Sequence, residues 1–378
     1  MLAGSILYSL LAVSAVASPI HQHHQHAKRD AAVTVVVTEF LDQNGNLISS
    51  TQTASASSAS DSGSVSFSAT TLSTSTTGSG FSNSYSASSA SSSSPAYSSS
   101  GSSSASAPSS SASSGSVEYY AEQGKGITYS PYTDSGSCKS ADEVSSDIAK
   151  LTSYDIIRVY APDCSCVTNI LNSKGSGQKI FAGIYNYDSL SDDIDTLAEQ
   201  VTGSSEGWDA IYAVSIGNEW VQSGEHSASD VASAVSTGRK LLSSKGWSGK
   251  VVTVDTVGAY QGSSDLCDAS DFIAANAHPY WAGSVKPEDS GTWLENQISI
   301  LKDACGSDKS VLITETGWPT KGDTYGQYAV PSTENQLTAV KAIVESVADQ
   351  VIMFTTYDDY WKDAGSYGVE QYWGIYAN

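Results

Sequence analysis

The stretch Val311-Leu312-Ile313-Thr314-Glu315-Thr316-Gly317-Trp318-Pro319 joins a short apolar, β-branched run to a carboxylate and a turn. Such a run is typical of a strand that is buried on both faces. The same pattern occurs in Val214-Ser215-Ile216-Gly217-Asn218-Glu219-Trp220, which also places a glutamate beside an aromatic residue. The two stretches predict two buried strands, each with a carboxylate at its C-terminal end.

Similar runs recur along the C-terminal part of the chain and alternate with segments of helical length. The predicted strands are 126–129, 156–160, 179–185, 210–216, 250–255, 272–277, 310–314 and 351–355. The predicted helices are 141–151, 189–201, 228–242, 292–304 and 333–347. Short apolar strands that alternate with helices indicate parallel pairing. The pattern therefore predicts an α/β fold, a (β/α)8 TIM barrel.

A doubly wound open sheet is the competing fold for this pattern. That fold usually places a glycine-rich phosphate loop after its first strand. Here the first predicted strand is followed by Tyr129-Ser130-Pro131-Tyr132, which cannot serve as such a loop. The barrel is therefore preferred.

The first third of the chain has the composition of leader and linker segments. Residues 1–17 predict a signal peptide, because their apolar run is too short to span a bilayer and ends in small residues. Residues 18–29 predict a pro-peptide that ends at Lys28-Arg29. Its histidine cluster could bind a metal, but a discarded segment is the preferred interpretation.

Two further segments precede the predicted barrel. Residues 30–48 predict a short β-prone tag, with Val33–Phe40 as a strand and Asn44-Gly45 as a hairpin turn. Residues 49–116 are almost wholly Ser, Ala, Thr and Gly, which predicts a disordered, O-glycosylated linker. Residues 117–378 form the predicted catalytic domain.

The chain has 378 residues and a formal net charge of −22. Nucleic acid and anionic lipid would repel such a protein, so we expect neither nucleic acid nor membrane as a partner. The alternative explanation of the charge is solubility alone. We expect a secreted protein that is a monomer, binds a neutral polymer and needs no cofactor or metal.

The chain has five cysteines, so a secreted form leaves at least one thiol without an intramolecular partner. Cys267 and Cys305 are a plausible pair, and the odd thiol could attach the protein to the wall through a disulfide. The spacing of Cys164-Ser165-Cys166 does not match a zinc knuckle.

The ends of the predicted strands carry carboxylates, an amide, an arginine and many aromatic residues, which on a parallel barrel converge at one mouth. Glycoside hydrolysis requires one carboxylic acid and one carboxylate, and Glu219 and Glu315 are the best candidates. Glu219 could instead simply be an acidic helix N-terminus. A Ser-His-Asp hydrolase would need His226 or His278 as its base, and no Gly-x-Ser-x-Gly elbow accompanies either histidine. No metal-ligand cluster is visible that would support metal hydrolysis.

Together these stretches resemble glycoside hydrolase family 17, a family of (β/α)8 barrels that act on β-1,3-glucan. The likeness extends from about Gly124 to the C-terminus and includes Ile127–Tyr132, Ile157–Tyr160 and Tyr357–Lys362. The secretory, Lys-Arg and Ser/Thr-rich front end is similar to that of fungal soluble cell wall glucanases of this family.

The resemblance implies a role for each matching residue. Glu219 would be the acid/base and Glu315 the nucleophile of a retaining reaction, with their carboxyls about 5–5.5 Å apart. Asn218 would bind the 2-hydroxyl of the reacting sugar. The other expected binding residues are Arg158, Tyr160 and Tyr280, the two tyrosines orienting the carboxylates, and Trp318 and Trp361 as sugar platforms.

The sequence therefore predicts a β-1,3-glucanase or glucanosyltransferase that remodels the wall by hydrolysis, by transglycosylation or by both. The alternative is a catalytically weak wall mannoprotein or adhesin that binds glucan or host surfaces.

Overall fold

A computed structural model describes residues 8–10, 33–41, 47–56 and 115–376 of the chain. The chain divides into two compact units. The described part of the first unit is a three-stranded antiparallel sheet in the order β1-β2-β3. Its strands are β1 (Tyr8–Leu10), β2 (Val33–Leu41) and β3 (Leu47–Ala56).

The strand predicted at Val33–Phe40 is confirmed as β2, which pairs with β3. The predicted turn Asn44-Gly45 lies outside the described residues. The boundary between the predicted tag and linker stays a prediction; β3, which spans Leu47–Ala56, crosses it. Apart from β1, the predicted signal peptide and pro-peptide lie outside the described residues, as does the remainder of the predicted linker up to residue 114.

The second unit is a closed, eight-stranded parallel barrel. Its strands are β4 (Gly126–Thr128), β5 (Ile156–Arg158), β6 (Lys179–Ile184), β7 (Ile211–Asn218), β8 (Val251–Thr256), β9 (Ile273–Asn276), β10 (Val311–Thr316) and β11 (Val351–Met353). Each strand pairs with the next along the chain, and β11 closes the ring on β4. The predicted (β/α)8 architecture is confirmed.

Helices surround this barrel. They are α1 (Val117–Ala121), α2 (Ala141–Ile148), α3 (Cys166–Leu171), α4 (Leu190–Thr202), α5 (Ala228–Ser244), α6 (Val257–Gly262), α7 (Ser264–Ala269), α8 (Ser290–Cys305) and α9 (Thr333–Val347). All five predicted helices are present. The sequence did not indicate α1, α3, α6 and α7, which have five or six residues each and are too short to show a helical period.

The core has two layers because strand side chains alternate between the faces of the barrel. On β10, Leu312 lies in the inner cluster with Phe181 and Val252, whereas Val311 and Ile313 pack against the helices. A third, aromatic cluster around Trp318 and its neighbours packs beneath the loops at the C-terminal end of the strands.

The strands β7 and β10 both depart from this alternation near their C-terminal ends. The pairing of β7 with β8 shifts register between Ser215 and Asn218, and that of β10 with β9 shifts between Ile313 and Glu315. Simple alternation would turn Asn218 and Glu315 toward the helices, since their neighbours Ile216 and Ile313 pack there. Register shifts of this kind redirect side chains next to active sites.

Two disulfides join loops and helices of the barrel unit, Cys138–Cys164 and Cys267–Cys305. The suggested pairing of Cys267 with Cys305 is confirmed. The remaining thiol, Cys166, is fully buried and donates to the carbonyl of Ala161 at 3.1 Å. It is therefore not available for a disulfide to the wall, and that suggestion was wrong.

Among the described residues, no helix combines the length and apolar character needed to cross a bilayer.

Candidate active site

Glu315 lies at the end of β10, is only 6% exposed and has a dense set of donors. Arg158 Nη1 donates to its Oε1 at 2.7 Å, and the Tyr160 hydroxyl donates to the same oxygen at 2.9 Å. His278 Nε2 is 3.4 Å from the other oxygen, Oε2. One carboxylate oxygen is thus tightly bound, while the other has a single long contact with the protein.

Arg158 ends β5 and connects the two register-shifted strands across the barrel mouth. Besides Glu315, its Nη1 donates to the carbonyl of Thr314 at 2.9 Å, and its Nη2 donates to Asn218 Oδ1 at 2.7 Å. The side chain is buried, and its guanidinium lies 4.6 Å from the centre of the Tyr160 ring. Arg158 therefore fixes β10 and β7 relative to one another.

Glu219 follows β7 directly and has the left-handed backbone angle φ 55°. Its N–H donates to the carbonyl of Val254 at 2.9 Å. Its Oε1 accepts from Asn276 Nδ2 at 2.9 Å, and the same amide lies 3.3 Å from Asn218 Oδ1. Asn276, at the end of β9, thereby links Glu219 to the network around Arg158.

The two glutamates have opposite protonation behaviour. Burial, followed by repulsion from Glu315, raises the pKa of Glu219 to about 8. Burial also acts to raise the pKa of Glu315, but the Arg158 charge and hydrogen bonds from His278 and Tyr160 outweigh it and lower that pKa to about 2. At neutral pH Glu219 thus holds a proton and Glu315 is ionised, the division that acid and nucleophile require.

The structure places the other predicted site residues in different positions. Tyr160 contacts Glu315 as expected. Arg158 contacts the carboxylate and amide groups and is only 1% exposed, so its expected role in binding substrate is corrected to one of positioning. Trp361 is partly buried, packs on the Tyr132 ring at 4.8 Å and donates to Asp359 at 2.9 Å.

Tyr280 and Trp318 do not have their expected roles. Both side chains are fully buried in the aromatic cluster. The Tyr280 hydroxyl donates to the carbonyl of Asp323, and Trp318 Nε1 donates to that of Val330. Tyr280 therefore does not orient a carboxylate, and Trp318 offers no face to a sugar; both support the loops from beneath.

Two site residues were not predicted in these roles. Asn276 is the last residue of β9, and the strand-end rule could have identified it. His278 follows it and packs edge-on against Phe354 and Trp373 beside Glu315. In the part of the chain that the structure describes, no group of three or more His, Cys, Asp or Glu side chains could hold a metal ion.

Replacing Arg158 by methionine should leave Glu315 buried without its counter-ion. We expect the free energy of unfolding to fall by about 3–5 kcal/mol, which denaturant titration measures. The low pKa makes Glu315 stabilising above the ordinary value of 4.5, and this contribution is lost as the pH falls through about 2. In the variant the pKa rises, so the loss should begin at a higher pH.

Lys245→Met provides the control for the arginine variant. Lys245 pairs with Asp195 at 2.9 Å on the surface, where both side chains are exposed. Its removal should change the free energy of unfolding by less than about 1 kcal/mol. Equal losses in the two variants would contradict the role assigned to Arg158.

Comparison with known proteins supports this fold. The family model described as the BtgE/BtgC glycoside hydrolase domain matches residues 126–374. The chain is 50% identical over 254 residues to the cell surface mannoprotein MP65 of Candida albicans, covering 67% of each chain. It is 48% identical over 258 residues to the probable family 17 glucosidase SCW10 of Saccharomyces cerevisiae, covering 68% of this chain and 66% of that one.

The fold is also similar to that of solved structures. The glycoside hydrolase family 17 β-1,3-glucanosyltransferase from Rhizomucor miehei superposes with a TM-score of 0.57 at 23% identity, covering 68% of this chain and 94% of that one. An active-site mutant of the β-1,3-glucanosyltransferase from that organism, in complex with laminaritriose, gives 0.58 at 22% identity, with the same coverage. At these identities the comparison supports the barrel fold alone.

Proposed function

The chain belongs to the BtgE/BtgC glycoside hydrolase family, and on that premise we propose that it is a retaining glycosidase that acts on the β-1,3-glucan of the cell wall. The resemblance to glycoside hydrolase family 17 is confirmed by relatives that carry this family's name. The observation that carries the proposal is the position of two glutamates at the mouth of one barrel, Glu315 bound by Arg158 and Tyr160 and Glu219 bound by Asn276. The raised pKa of Glu219 and the lowered pKa of Glu315 agree with the roles of acid and nucleophile.

In the first step Glu315 attacks the anomeric carbon, and the bond to the leaving glucan oxygen breaks as Glu219 gives that oxygen its proton. The attacking atom is Oε2, because Oε1 already accepts from Arg158 and Tyr160. These two donors hold the carboxylate in a fixed orientation, which lowers the reorganisation needed to reach the transition state.

In the second step Glu219, now a carboxylate, removes a proton from an incoming hydroxyl, and that oxygen displaces Glu315 from the anomeric carbon. Water as the acceptor gives hydrolysis, and a second glucan chain gives transfer. The predicted separation of the two carboxyls, about 5–5.5 Å for retention, stays a prediction.

Asn218 is proposed to donate to the 2-hydroxyl of the reacting sugar. Its Oδ1 accepts from Arg158 Nη2 at 2.7 Å and lies 3.3 Å from Asn276 Nδ2. Because Oδ1 already accepts these hydrogen bonds, the Nδ2 group is the part of the amide that can donate to the sugar. Trp361, packed on Tyr132, is the proposed aromatic platform.

Secretion and a place in the cell wall are also proposed. The support comes from the predicted signal peptide (1–17), the pro-peptide (18–29), the Ser-rich linker and the relatives' names, which include a cell surface mannoprotein. A purely scaffolding wall protein is the alternative, but it would not require two glutamates with opposed pKa values at one barrel mouth.

The test is product analysis of laminaripentaose treated with the full-length mature protein. We expect products whose newly formed anomeric centre has the β configuration, observed by proton NMR within the first turnovers. Mass spectrometry then separates the two outcomes of retention, because products longer than the substrate require transfer. Cellopentaose serves as the control for linkage and should not react.

An α product would contradict the retaining mechanism. Binding of laminaripentaose without any new product would instead favour the scaffolding alternative.

A further inference from the structure

The turn that follows β7 carries Glu219 in a conformation that L-amino acids avoid. Its φ of 55° lies in the left-handed region, which costs roughly 1–2 kcal/mol for a residue other than glycine. Such a conformation persists only when the surrounding structure holds it in place. The direction of the Glu219 side chain therefore depends on what holds residues 219–222.

The holding contacts come from the C-terminal end of the neighbouring strand β8. The Val254 carbonyl accepts the N–H of Glu219 at 2.9 Å. Asp255 Oδ2 accepts the N–H of Val221 at 2.9 Å, and its Oδ1 accepts that of Gln222 at 3.2 Å. The Thr256 hydroxyl donates to the Gln222 side chain at 3.0 Å. Three consecutive residues of β8 thus hold the turn by hydrogen bonds.

Asp255 makes two of these hydrogen bonds. Its carboxylate is fully buried and also accepts the N–H of Thr256 at 2.8 Å, so both oxygens are occupied by backbone donors. None of these donors could bond to an amide nitrogen, because an amide nitrogen is itself a donor. The negative charge and shape of the carboxylate are therefore specifically matched to this turn.

We infer that Asp255 is a positioning residue, which orients the carboxyl of Glu219 toward the leaving-group oxygen. It acts through the backbone of the 219–222 turn and does not itself touch the reacting atoms. Its charge is also one of the causes, after burial and Glu315, that raise the pKa of Glu219. This inference rests on the proposed function, since it explains what orients Glu219, the proposed acid.

The two possible roles of Asp255, structural support and positioning of Glu219, differ in how the loss of rate on its replacement depends on the substrate. Cleavage of a glucan requires protonation of a poor leaving group, whereas a dinitrophenolate leaves without a proton. Misdirecting Glu219 therefore slows glucan cleavage and has much less effect on the first step with a dinitrophenyl glycoside. General loss of structure slows both reactions equally.

The experiment compares kcat/KM of the full-length wild type and Asp255→Asn on laminaripentaose and on 2,4-dinitrophenyl β-laminaribioside. We expect kcat/KM of the variant on laminaripentaose to fall about 100-fold, within the range of general acid catalysis. On the aryl glycoside the decrease in kcat/KM should be smaller by at least about ten-fold. Azide should raise the turnover of the aryl glycoside by the variant and yield a β-glycosyl azide, because azide attacks the glycosyl-enzyme without a base.

Asp271→Asn is the matched control. Asp271 also accepts a backbone N–H, that of Val251 at 2.7 Å, but at the opposite end of the same strand. It should keep wild-type rates on both substrates. Asp255→Ser is the second variant in case the asparagine side chain prevents folding; it retains one oxygen acceptor in a smaller side chain.

Equal losses on the two substrates in a folded Asp255 variant, or no loss on laminaripentaose, would overturn the inference. Failure of the wild type to cleave either substrate would instead overturn the proposed function, so the two failures can be told apart.

Discussion

Glu315→Gln is expected to lower kcat on laminaripentaose by at least about 10⁴-fold, the scale seen when a catalytic nucleophile is removed. A neutral amide cannot displace the leaving oxygen from the anomeric carbon. Substrate binding should be retained, since the amide oxygen can still accept from Arg158 and Tyr160 in the place of Oε1. Chromatography of the products and calorimetric titration of laminaripentaose would measure the two effects.

The same variant should lower the pKa of Glu219, because the charge of Glu315 is one of the causes that raise it. A pH titration of the carboxyl band by infrared difference spectroscopy would detect this change. Glu345→Gln is the matched control, since Glu345 is exposed on α9 and pairs only loosely with Lys341 at 3.8 Å. Activity of Glu315→Gln above a hundredth of wild type would contradict its role as nucleophile.

Glu219→Gln should lower kcat/KM on laminaripentaose by about 10²- to 10⁴-fold, the usual contribution of a general acid and base. The amide can keep its oxygen toward Asn276 Nδ2, so the fold should be preserved. Loss of the transferable proton is the reason for the effect. As with a misdirected acid, the loss should be much smaller on 2,4-dinitrophenyl β-laminaribioside, and azide should restore its turnover.

The wild type should show an alkaline decline set by Glu219 and an acid decline to which Asp255, whose pKa burial raises to about 6, contributes before Glu315. Its kcat/KM on laminaripentaose should fall as the pH rises through about 8, where Glu219 loses its proton, and as the pH falls toward about 2, where Glu315 gains one. The alkaline decline should be absent from the residual activity of Glu219→Gln on the same substrate, laminaripentaose. An unchanged alkaline decline in that variant would show that another group is the acid.

The strands and the two glutamates could be predicted because their signals are local. Val311-Leu312-Ile313 and Val214-Ser215-Ile216 are apolar runs that need both faces covered, and a parallel barrel covers both. The carboxylates that follow them must then meet at one mouth. The barrel itself required only that this local pattern recur.

The contacts of the site could not be predicted in the same way. Arg158 and Glu315 are 157 positions apart, and nothing local indicates that they form a pair. The register shifts before Asn218 and Glu315 depend on how neighbouring strands pair, which a single strand does not reveal. The resemblance implied that Trp318 is a sugar platform, but an aromatic residue at a strand end can serve either binding or packing. The side chain of Trp318 is fully buried, which shows that it packs.

The Cys138–Cys164 disulfide has a consequence for the entropy with which a glucan chain would bind. It joins the loop after β4 to the loop after β5, and those loops supply Tyr132 and Asp163, whose side chains are hydrogen-bonded at 2.7 Å. The covalent link thus restrains the loop that carries Tyr132, the ring against which Trp361 packs. The entropy of ordering these loops is lost during folding, so binding at the proposed sugar platform would not include that loss again.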